Sequence, residues 1–290
     1  MRFLLVAFML FMFTPAQCQI NTEKPEVQTI AYWLKNDSLT YEANYIFHVL
    51  NQGDTLKTLN RKNDLLFKVI DSTAHSYDVV LTYHPTSIDD TLLKEPFIIK
   101  FRTDEMGTYQ EWLNPDEVIQ AIKKNNFPDH CTLDYEFVKQ LINHSTSNHP
   151  FAVLPLIENI LLRDVFTFLY FHGGVYPIDV PTWGTIHEDN PITNKPVEAT
   201  VYITVDEINT ENNYYIVSTT HKTSRQHMKT LLQDDLKIVN DATSTFSNDI
   251  YSTSVLHESG WPMYLESYNE LIIGENSHVK WQSISLKNTD

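Results

Sequence analysis

The chain has 290 residues, 42% of them hydrophobic, with 21 basic and 37 acidic residues and a net charge of −16. A chain of this length and composition can bury a substantial core as one large domain or two closely joined ones. Its acidity, with no Lys/Arg cluster to offset it, argues against nucleic-acid binding because a phosphate backbone would be repelled.

The first eighteen residues, MRFLLVAFMLFMFTPAQC, have the layout of an export signal. Arg2 supplies the positive start, Phe3 to Phe13 form an unbroken apolar run, and Pro15 ends that run. Eleven residues are too few to cross a bilayer as a helix, which takes about 20. We therefore predict that residues 1–18 are a signal peptide, and that a mature chain of 272 residues with net charge −17 is periplasmic or secreted.

The two cysteines bear on anchoring and on stability. Lipid attachment at Cys18 would need an aliphatic residue three positions earlier and a small residue just before it, but Pro15 and Gln17 stand there. Lipid anchoring is therefore the less favoured alternative. Cys131 is then alone in the mature chain, which excludes a disulfide within one molecule. Charged residues interrupt the longest apolar stretch, Phe151–Phe171, so we expect no transmembrane segment.

Residues 19–110 read as a β region. Apolar and polar residues alternate from Leu39 to Val49, from Tyr77 to Tyr83 and from Phe97 to Phe101, which predicts strands with one dry face. The segment Asn51–Asp54 supplies turn residues directly after the first of these strands. Short polar turns between neighbouring strands predict antiparallel pairing.

Residues 111–174 are predicted to form a central helical block. Its first helix, NPDEVIQAIKK, has Asn114 as a candidate N-cap and Pro115 at its first position. A second helix, TLDYEFVKQLINH, is predicted from Thr132. The third spans Phe151–Phe171, is apolar around most of its circumference, and stops at the glycine pair 173–174.

Residues 175–195 contain several prolines and little periodicity, which favours a loop or linker. Residues 196–290 return to β, beginning with the regular alternation from Val197 to Val205, and include one helix, SRQHMKTLLQDDLKIV. We expect residues 19–290 to form one compact unit. The predicted fold class is α+β, with antiparallel sheets, curled as in an open barrel, packed on the central helical block.

The dipeptide His257-Glu258 resembles the start of a zinc-binding motif. Such a motif needs a second histidine four residues after the first, on a helix, but Trp261 stands there and the intervening Gly260 disfavours a helix. Strand-like alternation follows from Trp261 onward. We interpret the pair as a turn between two strands and predict no metal ligand in it.

Other short clusters support no catalytic, cofactor-binding or metal assignment. The run His187–Asp189 is interpreted as a solvated acidic loop. His130 and Cys131 are adjacent, which rarely places an imidazole and a thiol correctly for nucleophilic catalysis. His144 and His149 lie five residues apart in a predicted loop. Motifs of serine hydrolases, phosphate-binding loops and calcium loops do not occur in the sequence.

The layout resembles that of exported β-rich proteins of Gram-negative bacteria that have no assigned activity. The resemblance lies in the signal ending before Gln19, the β-hairpins, the central helical block, and the final strands GWPMYLESY and WQSISLK. More distantly, curled antiparallel strands with helices are similar in architecture to periplasmic lipoprotein carriers. This likeness implies a fold and no function.

Two functional hypotheses follow. The first is a non-catalytic exported binding or envelope-associated module for an apolar or glycan ligand, or for another envelope protein. It requires the apolar helix at 151–171 to leave a groove beside the sheet. The second is an exported hydrolase whose site assembles only in three dimensions, with His187, Glu188 and His257 as its candidates. It requires the two histidines to meet.

Overall fold

A computed structural model describes residues 20–21, 25–84, 95–124, 126, 157–189, 196–230 and 246–287. These residues form mostly antiparallel β-sheet. A three-stranded sheet contains β1 (Ile20–Asn21), β2 (Glu26–Gln28) and β8 (Val175–Pro177). An eleven-stranded sheet contains β3 (Ser38–Asn51), β4 (Asp54–Ser72), β5 (Ser76–His84), β6 (Phe97–Asp104), β7 (Tyr109–Trp112), β9 (Thr182–Asp189), β10 (Pro196–Asn209), β11 (Tyr214–Thr223), β12 (Phe246–His257), β13 (Pro262–Ile273) and β14 (Asn276–Leu286). The helices are α1 (Pro115–Lys123), α2 (Arg163–Leu169) and α3 (Arg225–Thr230).

The large sheet is two meanders joined side by side. Its strand order is β7-β6-β5-β4-β3-β14-β13-β12-β11-β10-β9, and every neighbouring pair is antiparallel. Within each meander of this described sheet, strands that follow each other in sequence are neighbours, whereas β3 and β14 join the two meanders by pairing across most of the chain. The sheet is open, with β7 and β9 at its two edges.

The β3–β4 hairpin shows how local sequence fixes the register. Asn51 pairs with Asp54, so Gln52 and Gly53 form a two-residue turn. Both have positive φ, 52° and 88°, as the favoured type I′ hairpin turn requires. The predicted turn at Asn51–Asp54 is confirmed, as are the strands predicted at Leu39–Val49, Tyr77–Tyr83, Phe97–Phe101 and Val197–Val205.

Alternation along the strands places one face of the sheet in the core. Buried side chains from the N-terminal meander are Tyr41, Leu65, Phe67, Leu81, Tyr83, Ile99 and Phe101. Helix α2 packs on this face, and its Phe168 stacks on Phe67 with ring centroids 3.9 Å apart. Trp33 stacks on Trp261 at 4.6 Å beside it. The N-terminal half of the sheet is therefore sealed by aromatic packing.

A crossing segment (residues 29–34) runs over one end of the core instead of joining the large sheet. Thr29 donates its N–H to the Gly174 carbonyl at 3.0 Å, and Tyr32 donates its N–H to the Ser259 carbonyl at 3.1 Å. The segment thus links the end of α2 to the β12–β13 turn. Gly260 in that turn has φ +80°, and a Cβ there would lie 2.2 Å from the Ile30 carbonyl oxygen, so this position requires glycine.

The central helical block is not confirmed. Of residues 111–174, the structure describes α1, a helical stretch at 157–161 and α2, with a turn at Leu162 between the last two. The helix predicted from Thr132 lies outside the described residues. The loop or linker predicted for 175–195 is wrong where the chain is described, because β8 and β9 lie there. Pairing with β2 and β10 overrides the weak local pattern.

Asn114 precedes α1 as predicted, but its side chain does not cap the helix. Its Oδ1 accepts the backbone N–H of Lys100 at 2.7 Å, and its Nδ2 donates to the Ile98 carbonyl at 3.1 Å. The pairing of β6 with β7 ends at Phe101. The Asn114 amide therefore forms hydrogen bonds with backbone groups of β6 that have no partner residue on β7. Sequence alone could not choose between the two roles, because both use the same oxygen.

Candidate functional site

The histidines of the hydrolase hypothesis do not meet. His187 is an exposed residue of edge strand β9, opposite Glu198 on β10. His257 ends β12, three strands away, and pairs with Tyr214 at the other end of β11. Ten residues of strand separate the two positions along the sheet, which amounts to roughly 30 Å. A hydrolytic site built on His187, Glu188 and His257 is therefore ruled out.

His257 instead stabilises its own turn, as predicted for the His257-Glu258 pair. Its Nδ1 accepts the backbone N–H of Ser259 at 3.1 Å and lies 2.8 Å from the Ser259 Oγ. Glu258 donates its N–H to the Asn213 carbonyl at 2.9 Å. The imidazole also borders a cavity of about 370 Å³, where most of the lining is apolar, including Trp261. The polar residues that line this cavity include Asp37, His257 and Ser259, and all three already form hydrogen bonds within local turns. Few polar groups therefore remain to orient a ligand.

The remaining sequence candidates, Cys18, His130, Cys131, His144 and His149, lie outside the described residues. The candidate site lies instead around α2. In the sequence, the charged residues of this helix indicated only that Phe151–Phe171 is not a transmembrane segment.

Asp164 is the polar centre of the inner face. It is fully buried, and its Oδ2 accepts the hydroxyls of Tyr45 at 2.7 Å and Tyr83 at 2.8 Å. Its Oδ1 accepts the Nε2 amide of Gln282 at 2.7 Å. These donors come from β3, β5 and β14. Because β5 and β14 are three strand spacings apart in the sheet, this one carboxyl group ties together strands that do not pair with each other.

A cleft lies on the other side of α2, opposite the aromatic core. It occupies about 220 Å³ between the helix and strands β12 and β13. Its apolar lining includes Phe166, Phe171 and Leu265, and its polar lining includes Asn159, Ser252, Ser267 and the charged residues Arg163 and Glu266. Ser252 donates its hydroxyl to Ser267 Oγ at 3.1 Å across the two strands. Apolar walls with a few converging polar groups are typical of ligand sites.

His172 fixes the end of α2 to the far side of the fold. It is buried, and its Nε2 donates a hydrogen bond to the Gly260 carbonyl at 2.8 Å. Its ring meets Trp33 edge-on at 5.4 Å. Burial disfavours the charged imidazolium and lowers the pKa of His172 to about 4.

This pKa predicts a pH dependence of stability. Below about pH 6.5 the unfolded chain takes up a proton on residue 172, whereas the folded protein does so only near pH 4. The free energy of unfolding should therefore fall by up to about 1.4 kcal/mol per pH unit between these values. Above about pH 6.5 the residue is neutral in both states and contributes no slope.

Urea unfolding of the wild type and of His172→Gln, at several pH values across this interval, checks the prediction. The glutamine variant keeps a donor for the Gly260 carbonyl but has no group that titrates here. Its stability should fall less steeply on acidification. Equal slopes in the two proteins would contradict the assignment.

Sequence reasoning missed Asp164, Tyr45, Tyr83, Gln282 and His172. Asp164 alone carried a signal, since it is an acid within an otherwise apolar helical run. The tyrosines and the glutamine sit at inward positions of alternating strands, where their residue types do not reveal a shared partner.

The described residues contain no helix of the length and apolarity needed to cross a membrane. In the same part of the chain, no three His, Cys, Asp or Glu side chains are grouped so that they could hold a metal ion. Comparison with protein-family models gives no match for this sequence, and comparison with curated proteins gives none either.

Proposed function

We propose that this is a non-catalytic exported binding protein that holds a small amphiphilic ligand in the cleft between α2 and strands β12 and β13. The observation that carries the proposal is the asymmetry of α2. One side is sealed by aromatic packing around Phe168, and the other borders an open cleft. An ordinary surface helix leaves its outer side to open solvent, whereas here strands β12 and β13 form the opposite wall of the cleft.

The lining defines the class of ligand. Phe166, Phe171 and Leu265 offer apolar contact, while Ser252 and Ser267 offer hydroxyl groups that both donate and accept hydrogen bonds. A volume of about 220 Å³ suits one ring or the end of a chain. The matching ligand has an apolar body and a few hydroxyl groups, so a sugar ring with an apolar substituent fits both requirements.

Tyr170 provides a test at the mouth of the cleft. Its side chain is 50% exposed and lines the cleft. We expect Tyr170→Ala to weaken binding of the fluorescent probe N-phenyl-1-naphthylamine about fivefold to tenfold, since an aromatic contact is lost. Ser252→Trp should fill the cleft and abolish binding. Octyl glucoside monomers should compete with the probe in the wild type.

Tyr251→Ala is the matched control. Tyr251 is 42% exposed and adjacent to Ser252, but alternation places it on the opposite face of β12. This variant should bind the probe as the wild type does. Equal affinity in the wild type, Tyr170→Ala and Ser252→Trp would show that the probe binds elsewhere and would refute the proposal.

A further inference from the structure

Strand β9 is an exposed edge of the large sheet. It has eight residues and pairs with β10, and no further strand in the described sheet lies beyond it. Trp183 is 69% exposed and Ile186 is 40% exposed, and Thr185 and His187 are exposed as well. The side chains of β9 are therefore open to solvent along most of its length. An edge of this kind presents unpaired backbone N–H and C=O groups that can pair with another strand.

The opposite edge is protected, which sets β9 apart. Strand β7 has only four residues, and its Trp112 is buried. Proteins commonly protect edges with short strands, lysine or proline. The sequence of β9, TWGTIHED, contains neither lysine nor proline and is twice as long. From Thr182 to His187 this edge thus has no lysine, proline, aspartate or glutamate that would disfavour strand addition.

Large apolar side chains are concentrated beside this edge. Trp183 lies directly opposite Tyr202 of β10, and Tyr202 is 44% exposed. Both belong to the outer face of the sheet, away from the proposed ligand cleft. Exposed tryptophan and tyrosine are enriched where proteins bind one another. Backbone pairing and an aromatic anchor are therefore available at the same place.

The acidic residues at the end of β9 favour a partner segment that is basic. The strand ends in Glu188 and Asp189, and Glu198 lies opposite His187 on β10. The chain as a whole carries −16, which disfavours pairing with a second copy. A partner segment with basic residues near Glu188 and Asp189 would instead be attracted.

We propose that β9 is a docking edge for an extended segment of another protein, which adds to the sheet as a twelfth, antiparallel strand. The segment alternates apolar and small polar side chains, placing an apolar residue against Trp183 and Lys or Arg at the end that meets Glu188 and Asp189. Main-chain hydrogen bonds supply the affinity, and these side chains supply the selectivity. This surface is separate from the cleft and does not depend on the proposed ligand.

The test uses the full mature chain and two fluorescein-labelled peptides, KKVTVTFT and EEVTVTFT, whose phenylalanine falls opposite Trp183 when the first two residues lie beside Asp189 and Glu188. In an antiparallel strand the first two residues of each peptide lie beside the acidic end of β9. Fluorescence anisotropy should show that the lysine peptide binds at least about tenfold more tightly than the glutamate peptide. Trp183→Ala and Ile186→Lys should each weaken binding of the lysine peptide by a similar factor. Both positions are exposed, so these changes should leave folding intact.

Two control variants lie away from β9, and sedimentation tests whether a second copy of the chain binds there instead. Tyr251→Ala, an exposed tyrosine on a central strand, should bind the lysine peptide normally, and so should the cleft variant Ser252→Trp. Equal binding of the two peptides, or binding insensitive to Trp183→Ala and Ile186→Lys, would overturn the proposal. Sedimentation of the wild type as a dimer that Ile186→Lys dissociates would also overturn it, in favour of a second copy.

Discussion

We expect Asp164→Ala to lower the free energy of unfolding by about 3 to 5 kcal/mol. The change removes the acceptor shared by Tyr45, Tyr83 and Gln282, of which Tyr83 is fully buried and the other two are half-buried. Each such donor forfeits the hydrogen bonds that water gives it in the unfolded chain. Urea unfolding followed by circular dichroism measures the loss.

Two control variants test this assignment. One keeps the volume of the Asp164 side chain, and the other removes an exposed aspartate elsewhere. Asp164→Asn keeps the shape and one acceptor oxygen, so it should cost less than half as much as alanine. Asp71→Ala removes an aspartate whose ion pair with Lys35 is more than half exposed, and little change in stability is expected. A loss of stability in Asp71→Ala equal to that in Asp164→Ala would contradict a special role for the buried acid.

Phe168→Ala should also destabilise the protein by about 3 to 5 kcal/mol, because it empties the centre of the aromatic core. The ring stacks on Phe67 at 3.9 Å and meets Tyr41 edge-on at 5.4 Å. It also approaches Trp261 at 6.0 Å. Urea unfolding monitored by tryptophan fluorescence reports on both stability and the surroundings of that indole.

Phe166→Ala is the control on the same helix. Phe166 is only partly buried, and its ring meets Tyr109 edge-on at 5.1 Å on the other side of α2. The same loss of atoms should therefore cost less than half as much in stability. Phe168→Leu, which keeps most of the volume, should likewise be mild. Equal losses in Phe166→Ala and Phe168→Ala would show that the two sides of α2 are packed alike, which would weaken the case for a cleft.

These effects connect the core to the proposed function. Asp164 and Phe168 pack α2 on the N-terminal meander, and the cleft lies between the helix and strands β12 and β13. The shape of the proposed binding site thus depends on how firmly the helix is held on its other side. A rigid support of this kind keeps a ligand site preformed.

Most residues of the candidate site could not be predicted from the sequence. The apolar pattern of residues 151–171 predicted a helix against the sheet, and α2 lies within that range. The pattern could not show that Tyr45, Tyr83 and Gln282 meet one carboxyl group, because Tyr45 and Gln282 are 282 − 45 = 237 residues apart in the chain. Likewise, the hydrolase hypothesis required His187 and His257 to meet, and only the register of β9–β12 showed that they lie far apart.

The sequence by itself determined the strands and their turns, because alternation and turn residues act over a few neighbours along the chain. Leu39–Val49 with its turn at Gln52 and Gly53 is the clearest instance. Only the tertiary structure decided that β3 joins β14, that 175–189 contributes strands, and that Asn114 serves β6 instead of its own helix. These outcomes depend on which apolar surfaces are still exposed, and which hydrogen-bonding groups are still unpaired, once the local elements have formed. That condition is a property of the assembled fold and of no short segment within it.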